Sequence, residues 1–243
     1  MRLPRRAAIP SERDLVDSRH HRGRRDRSRV ALALLVRTEE LIHVRTGAGP
    51  IISSSRNRGI DYRSHVTLSI WTIGHSTCSS RDFRRALTLH GIELVADVRR
   101  FPGSRRLPQF AADALAQDLA RDGILYRWIP ELGGRRRPSA DSTNLAWRHS
   151  AFRAYADHVA TEDFAQGLNE VLMLAFGLRT VLMCAELLWW RCHRRLIADV
   201  LTTLGIQVFH LRGGETPSLH HLAPPARLVR GMLTYAPLQQ ASG

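Results

Sequence analysis

The sequence predicts an α/β fold, specifically a Rossmann-like three-layer α/β/α sandwich with a mostly parallel five-stranded sheet. Short apolar runs of strand length alternate five times with segments whose apolar residues recur at helical spacing. Glycines and small polar clusters separate these segments, as they do in connections between strands and helices. Such alternation is typical of a parallel sheet that is covered by helices on both faces.

The first predicted strand is the run LSIWTIGHS, which ends in a tight turn at Gly74, His75 and Ser76. Ser79 or Ser80 can cap the helix that follows, and Gly91 closes it. One face of this helix carries the apolar or partly apolar residues Phe83, Ala86, Leu87 and His90.

The later strands are also predicted from short apolar runs, each separated from the next by a helical segment. ELVADVRR is the second strand, and the helix after its arginine-rich loop ends at Gly123. ILYRWIPELGG is the third, and a helical region from Phe152 to Leu172 leads to the fourth, at VLMCAE from Val181. The run QVFHL is the fifth, after a helix with Leu196, Ile197, Val200, Leu201 and Leu204 on one face. The strand order 3-2-1-4-5 would place the turns after strands one and four side by side.

Residues 1–65 differ in composition from the rest of the chain. They are rich in arginine and have little periodic apolar content, so we interpret them as a disordered extension or a consequence of an upstream start codon. A targeting or nucleic-acid-binding arm is the alternative. Residues 66–243 are long enough for a single α/β domain.

The charge of the chain is strongly positive, with a formal net charge of +14. The chain contains no lysine, so all 36 basic residues are arginine, a bias that codon usage explains at least as well as polyanion binding. Nucleic acid therefore remains an open partner. No apolar run approaches the ~18 residues of a membrane span, and three cysteines do not make a secreted disulfide framework, so we expect a cytoplasmic protein without membrane contact.

Polar residues follow four of the five predicted strands, where ligands bind in parallel sheets. The first strand is followed by His75 and Ser76, and the second by Asp97, Arg99 and Arg100. The third is followed by Glu131, Gly133, Gly134 and Arg135, and the fourth by Cys184 and Glu186.

Five sequence blocks resemble the family catalogued as domain of unknown function 488, over about residues 68–240. These blocks are TIGHST, DVRRFPGSRRLPQF, PELGGRR, AWRHSAFRAYADH, and MCAE with CHRRLIAD. The resemblance implies an enzyme-like protein with polar, cysteine-bearing motifs, and it carries no established reaction. This chain has Leu188 and Trp189 where relatives commonly have an acidic residue and a proline, which predicts a rim of different shape and charge.

The candidate catalytic residues are Cys192, Cys184, Glu186 and His75. Cys192 falls near the start of a helix and beside arginines, both of which favour a thiolate nucleophile. Glu186 can act as a general base or hold a ribose hydroxyl, and His75 can exchange a proton near neutral pH. For each residue a structural role, such as core packing or pairing with arginine, is the alternative.

The candidate ligand is a small phosphorylated or nucleotide-like anion, because guanidinium groups bind phosphate in a bidentate manner. The predicted substrate-binding residues are Ser76, Asp97, Arg99, Arg100, Arg105, Arg106, Glu131, Gly133, Gly134, Arg135, His193 and Arg194. A non-catalytic nucleotide or nucleic-acid-binding module, in which the arginines supply all the affinity, is the rival hypothesis.

No cofactor is required by the sequence, and no residue is assigned to a metal. Cys184, Cys192, His193 and His75 can supply zinc ligands, but the seven residues between the two cysteines lack the spacing of a zinc knuckle. A metal-binding protein or thiol redox sensor therefore remains a further alternative. Neither cysteine is followed, after five residues, by the arginine of a cysteine phosphatase, and no serine-hydrolase, Walker or dinucleotide motif is present.

Overall fold

A computed structural model describes residues 67–103 and 105–238 of the chain. It confirms an α/β fold with a mostly parallel sheet, which has six strands and not the five predicted. The strands of this sheet are β1 (Ser69–Gly74), β2 (Leu94–Asp97), β3 (Leu125–Trp128), β4 (Thr180–Cys184), β5 (Gln207–Leu211) and β6 (Ser218–Leu219). The predictions for residues 1–65 lie outside the described residues.

Five α-helices connect these strands. They are α1 (Ser80–Leu89), α2 (Ala112–Ala120), α3 (Ser150–Val159), α4 (Glu162–Ala175) and α5 (Arg194–Thr203). Ser79 caps α1 by accepting a hydrogen bond from the amide of Asp82, as its sequence predicts. The predicted helical region before the fourth strand is two helices, because the first ends at Val159 and Thr161 caps the second. In the parts of the chain that are described, no helix has the length and apolar character that a membrane span needs.

The strand order is β3-β2-β4-β1-β5-β6, so the predicted order 3-2-1-4-5 is wrong. The fourth strand lies between the first two and pairs in parallel with both. Every residue of β4 is buried, as expected for a strand with neighbours on both sides and helices on both faces. The predicted proximity of the turns after β1 and β4 holds, since the amide of His75 donates to the carbonyl of Cys184 at 3.0 Å.

The sixth strand and a separate hairpin were not predicted. β6 pairs antiparallel with β5, and the hairpin consists of β7 (Arg227–Val229) and β8 (Met232–Thr234). Each of these strands has two or three residues, too few for an alternating apolar pattern to be visible in the sequence.

Two hydrophobic cores lie on opposite faces of the sheet. Neighbouring strand residues alternate between them, so that Trp71 and Val181 belong to one core and Ile70 and Leu182 to the other. The first core contains buried residues of α1 and α2, and the second contains those of α3, α4 and α5. The second core also holds Cys184 and Cys192, so the cysteine-bearing segment is anchored on that face.

A buried chain of hydrogen bonds crosses the second core. Thr72 Oγ1 lies 2.7 Å from His210 Nδ1, His210 Nε2 lies 3.0 Å from His220 Nδ1, and His220 Nε2 lies 2.9 Å from Asp199 Oδ1. Tyr235 donates to the second oxygen of Asp199 at 2.8 Å. The Asp199 carboxylate accepts at one end of the chain, and the Thr72 hydroxyl can donate at the other. If each group donates to the next one towards Asp199, all three hydrogen bonds form while both imidazoles are neutral.

Protonation of His210 should destabilise the fold. Burial, together with His220 and Arg194, lowers the pKa of His210 to about 2. Since the unfolded chain binds this proton near pH 6.5 and the folded chain does not, the free energy of unfolding falls as the pH drops through this range. We expect this residue alone to account for about 2 kcal/mol of the loss between pH 7 and pH 5.

Denaturant unfolding of the wild type and of His210→Gln at both pH values tests this. The variant should lose less stability than the wild type over the same interval. His75 and His158, whose pKa values burial lowers to about 4, still contribute to the loss in both proteins. Identical pH dependence in the two proteins would contradict the prediction.

Candidate functional site

The candidate site is a pocket of about 720 Å³ at the carboxyl ends of β2, β3 and β4. Eight of the sequence-predicted residues line it: Arg99, Arg100, Gly134, Arg135, Cys184, Glu186, Cys192 and His193. The structure therefore brings together residues that follow three different strands and the residues that precede α5. Glu186 is exposed at the pocket, where its carboxylate accepts a hydrogen bond from the amide of Leu188.

Cys184, Cys192 and His193 form a compact centre at the base of this pocket. The Nδ1 atom of His193 lies 3.6 Å from Cys192 Sγ and 4.0 Å from Cys184 Sγ. His193 Nε2 lies 2.9 Å from the carbonyl oxygen of Val98, which can only accept, so Nε2 carries a hydrogen. In the neutral ring the lone pair is then on Nδ1 and faces both sulfurs, whereas in the protonated ring Nδ1 can donate to a thiolate.

Arg194 lies directly behind this centre and is 1% exposed. Its guanidinium donates to the carbonyl oxygen of Glu186, and its Nε lies 3.4 Å from Cys192 Sγ. Arg194 was predicted to bind substrate, but it does not line the pocket. It contacts Cys192 inside the protein instead.

The two thiols have opposite pKa shifts. Burial raises the pKa of Cys192, but the hydrogen bond from Cys184 and the neighbouring His193 and Arg194 outweigh it and hold the pKa well below its ordinary value. The hydrogen bond to Cys192, followed by burial, raises the pKa of Cys184 well above its ordinary value. The pair therefore favours a thiolate at Cys192 and a thiol at Cys184.

A second buried cluster joins the ends of β1 and β2. Asp97 is fully buried and accepts from Arg99 Nε at 2.9 Å and from the hydroxyl of Tyr126 at 2.7 Å. The Arg99 Nη1 atom donates to the carbonyl of Phe110 at 2.8 Å and lies 3.3 Å from His75 Nε2. Asp97 thus fixes Arg99 at the pocket wall and does not reach the pocket itself.

His75 is inside this cluster and outside the pocket wall. Its Nδ1 lies 2.9 Å from the carbonyl of Ser76, its Nε2 faces Arg99, and its ring stacks on Phe110 at 4.0 Å. Burial, followed by the charge of Arg99, lowers the pKa of His75 to about 4. At neutral pH the ring is therefore an uncharged link between the first and second strands.

The glycine pair of the third motif allows close packing. A Cβ atom on Gly133 would lie 2.6 Å from Cα of Arg100, and one on Gly134 would lie 2.8 Å from Nδ1 of His193. Gly133, which was predicted to bind substrate, does not line the pocket, and its amide donates to the carbonyl of Pro130. Gly134 instead leaves room for the ring of His193.

The remaining predicted residues lie elsewhere. Arg105 and Arg106 are exposed in the loop after β2, outside the pocket wall. Ser76 and Glu131 also lie outside the wall, and the carbonyl of Glu131 accepts from His158 at 2.7 Å.

Several pocket residues were missed by the sequence analysis. They are Phe101, His149, Phe152, Tyr155 and Arg191. Tyr155 is a buried residue of α3 whose ring lies 5.0 Å from that of His193 and whose hydroxyl donates to the carbonyl of Leu132. The block AWRHSAFRAYADH contains three of these residues, but its helical periodicity alone indicates a packing face.

Gly134→Ala should destabilise the protein, because the new methyl group overlaps His193. We expect a loss of about 1–3 kcal/mol in the free energy of unfolding, the usual cost of overpacking. Gly103→Ala is the matched control, since Gly103 also lines the pocket but has open space around its Cβ position. Denaturant unfolding of both variants measures the difference, and equal losses would show that contact with His193 is not the cause.

Comparison with known proteins gave a family match for this chain. The family profile described as Domain of unknown function DUF488 matches residues 79–201, about half of the chain. No curated protein and no solved structure gave a significant match. The matched segment extends from Ser79, the N-cap of α1, to Leu201 in the last turn of α5, and contains the whole Cys184–Cys192–His193 centre. The chain therefore belongs to the DUF488 family.

Proposed function

We propose that this protein is an enzyme that binds a phosphate-bearing or nucleotide-like anion in the pocket and acts on it at the Cys184–Cys192–His193 centre. The observation that carries the proposal is the position of Arg100, Arg135 and Arg191. All three line the pocket, and none has a carboxylate ion-pair partner among residues 67–103 and 105–238. Guanidinium groups of this kind are available for a ligand phosphate.

Aromatic side chains support a nucleotide-like ligand. Trp190 is 39% exposed and Phe101 is 64% exposed, and both line the same pocket as the three arginines. An exposed ring beside a phosphate site offers a stacking surface for a base at about 1–3 kcal/mol per base. Trp190 also directly follows Leu188 and Trp189, which depart from the family pattern.

The candidate proton-transfer residues differ in their suitability. Glu186 has an exposed carboxylate at the pocket and is suited to act as a general base. His75 is less suitable because both of its nitrogens already have partners inside the protein. Of the two thiols, Cys192 is the better candidate to contact the ligand as a thiolate, because the positively charged Arg194 donates to its sulfur.

The pattern of helices on both faces supports a Rossmann-like three-layer sandwich, and the carboxyl-edge position of the pocket agrees with ligand binding in such folds. A cytoplasmic location is also part of the proposal. Cys78, Cys184 and Cys192 are free thiols, and free thiols persist in reducing compartments.

The rival hypothesis is a nucleotide or nucleic-acid-binding module without catalysis. In such a module the same three arginines and exposed rings bind the ligand, and the two cysteines take part in no reaction. A polynucleotide would produce a steep decrease in affinity with added salt, because several phosphates release counterions together.

Nucleotides and sugar phosphates should raise the thermal unfolding temperature of the protein, and Arg100→Ala should weaken the effect. Loss of one charge-assisted hydrogen bond of about 1.5–3 kcal/mol corresponds to about a 10–100-fold decrease in affinity. Arg105→Ala is the matched control, because Arg105 is exposed and comes from the same loop but does not line the pocket.

Ligand titrations followed by calorimetry would give the affinities, and mass spectrometry of the recovered ligand would show whether it has been converted. Equal weakening by Arg100→Ala and Arg105→Ala would contradict binding in the pocket. Binding of a ligand that is recovered unchanged from every incubation would favour the non-catalytic module.

A further inference from the structure

We propose that Cys184, Cys192 and His193 bind one thiophilic divalent cation, with Zn²⁺ as the best-fitting ion, and that its fourth coordination position opens into the pocket. The three donor atoms are two sulfurs and one imidazole nitrogen, and all lie within 4.8 Å of one another. This inference depends on the geometry of three side chains and is independent of which anion the pocket binds.

The distances between the donors are close to those of a metal site. Tetrahedral zinc, with Zn–S of about 2.3 Å and Zn–N of about 2.0–2.1 Å, places each sulfur about 3.6 Å from the nitrogen. His193 Nδ1 lies 3.6 Å and 4.0 Å from the two sulfurs. The two sulfurs lie within 4.8 Å of each other, and tetrahedral zinc would hold them about 3.8 Å apart, so binding one ion would draw them together by at most about 1 Å.

The imidazole is already oriented as a ligand. Metal-bound histidines usually donate their second N–H to a carboxylate or a backbone carbonyl, which fixes the tautomer and the ring plane. His193 Nε2 makes this contact with the carbonyl of Val98 at 2.9 Å. Gly134 provides the space beside the ring, since a Cβ there would lie 2.8 Å from the coordinating nitrogen.

The charge of the centre suits a divalent cation. Two thiolates and a neutral imidazole balance a charge of +2, whereas an isolated buried charge is costly. The Nε atom of Arg194 lies 3.4 Å from Cys192 Sγ and can donate to that sulfur in the metal-bound centre as well. The end of β4 and the residues just before α5 supply the ligands separately, so this site does not need the ligand spacing of a zinc knuckle.

The site has the composition of a catalytic metal centre and not of a structural one. Structural zinc sites have four protein ligands, while catalytic sites have three and leave one position for water or substrate. The described residues offer these three donors, and the pocket lined by all of them lies at the remaining position. Glu186 also lines this pocket, where a carboxylate can accept a proton from metal-bound water.

Titration of the full-length, chelator-treated and reduced protein with Zn²⁺ should show one ion bound per chain. Co²⁺ should give the absorption bands of tetrahedral sulfur coordination. Bound Zn²⁺ should slow the alkylation of Cys184 and Cys192 at least about 10-fold and leave Cys78 unchanged. Cys78 is the internal control because its Sγ donates to the carbonyl of His75, outside the centre.

Cys192→Ser and His193→Gln should each weaken Zn²⁺ binding by at least about 100-fold, more than the loss of an outer-shell partner. Cys78→Ser should bind normally, and circular dichroism of each variant confirms that it is folded. The proposal is overturned if the reduced wild type takes up no Zn²⁺ or Co²⁺, or if metal leaves alkylation of all three cysteines unchanged. Neither measurement uses an anionic ligand, so its result is separate from that of the anion titrations.

Discussion

Arg194 carries a positive charge into the interior of the protein, at the first residue of α5. Its guanidinium contacts the carbonyl of Glu186 and the sulfur of Cys192, and no carboxylate of the described residues forms an ion pair with it. Because a buried charge without a counter-charge is costly, this environment favours negative charge on Cys192. The same contacts hold the loop after β4 against the start of α5, so the position of the helix and the chemistry of the centre depend on one side chain.

Individual strands and helix caps could be predicted, because each depends on the residues of its own short segment. The apolar runs at β1, β2, β4 and β5 and the capping residue Ser79 all appear where their sequences indicate. The strand order could not be predicted, since it depends on which buried faces meet across the chain. The polar residues show the same limit. The sequence places His75 and Cys184 at the ends of the first and fourth strands, but only the packing shows that Ser76 and Arg99 engage both nitrogens of His75.

Five arginines around the pocket of this lysine-free chain separate into two groups when their partners are considered. Arg99 and Arg194 are buried, and their guanidiniums are occupied by Asp97 and by the cysteine-bearing segment, respectively. Arg100, Arg135 and Arg191 reach the pocket without such partners. Composition cannot distinguish the two groups, because both contribute equally to the net charge. The distinction between fixing the site and facing a ligand is made by burial and by hydrogen bonding.

Metal binding and anion binding at this pocket should influence each other. A metal-free centre with a thiolate at Cys192 places a negative charge in the pocket wall, where it repels an incoming phosphate. Two unit charges 4 Å apart interact by about 4 kcal/mol at the effective dielectric constant near a protein surface. A divalent cation neutralises both thiolates. The repulsion between the Cys192 thiolate and the phosphate is then removed, and Arg100, Arg135 and Arg191 still attract the phosphate. Since coupling between two binding sites is reciprocal, an anion in the pocket would in turn raise the affinity of the centre for its metal.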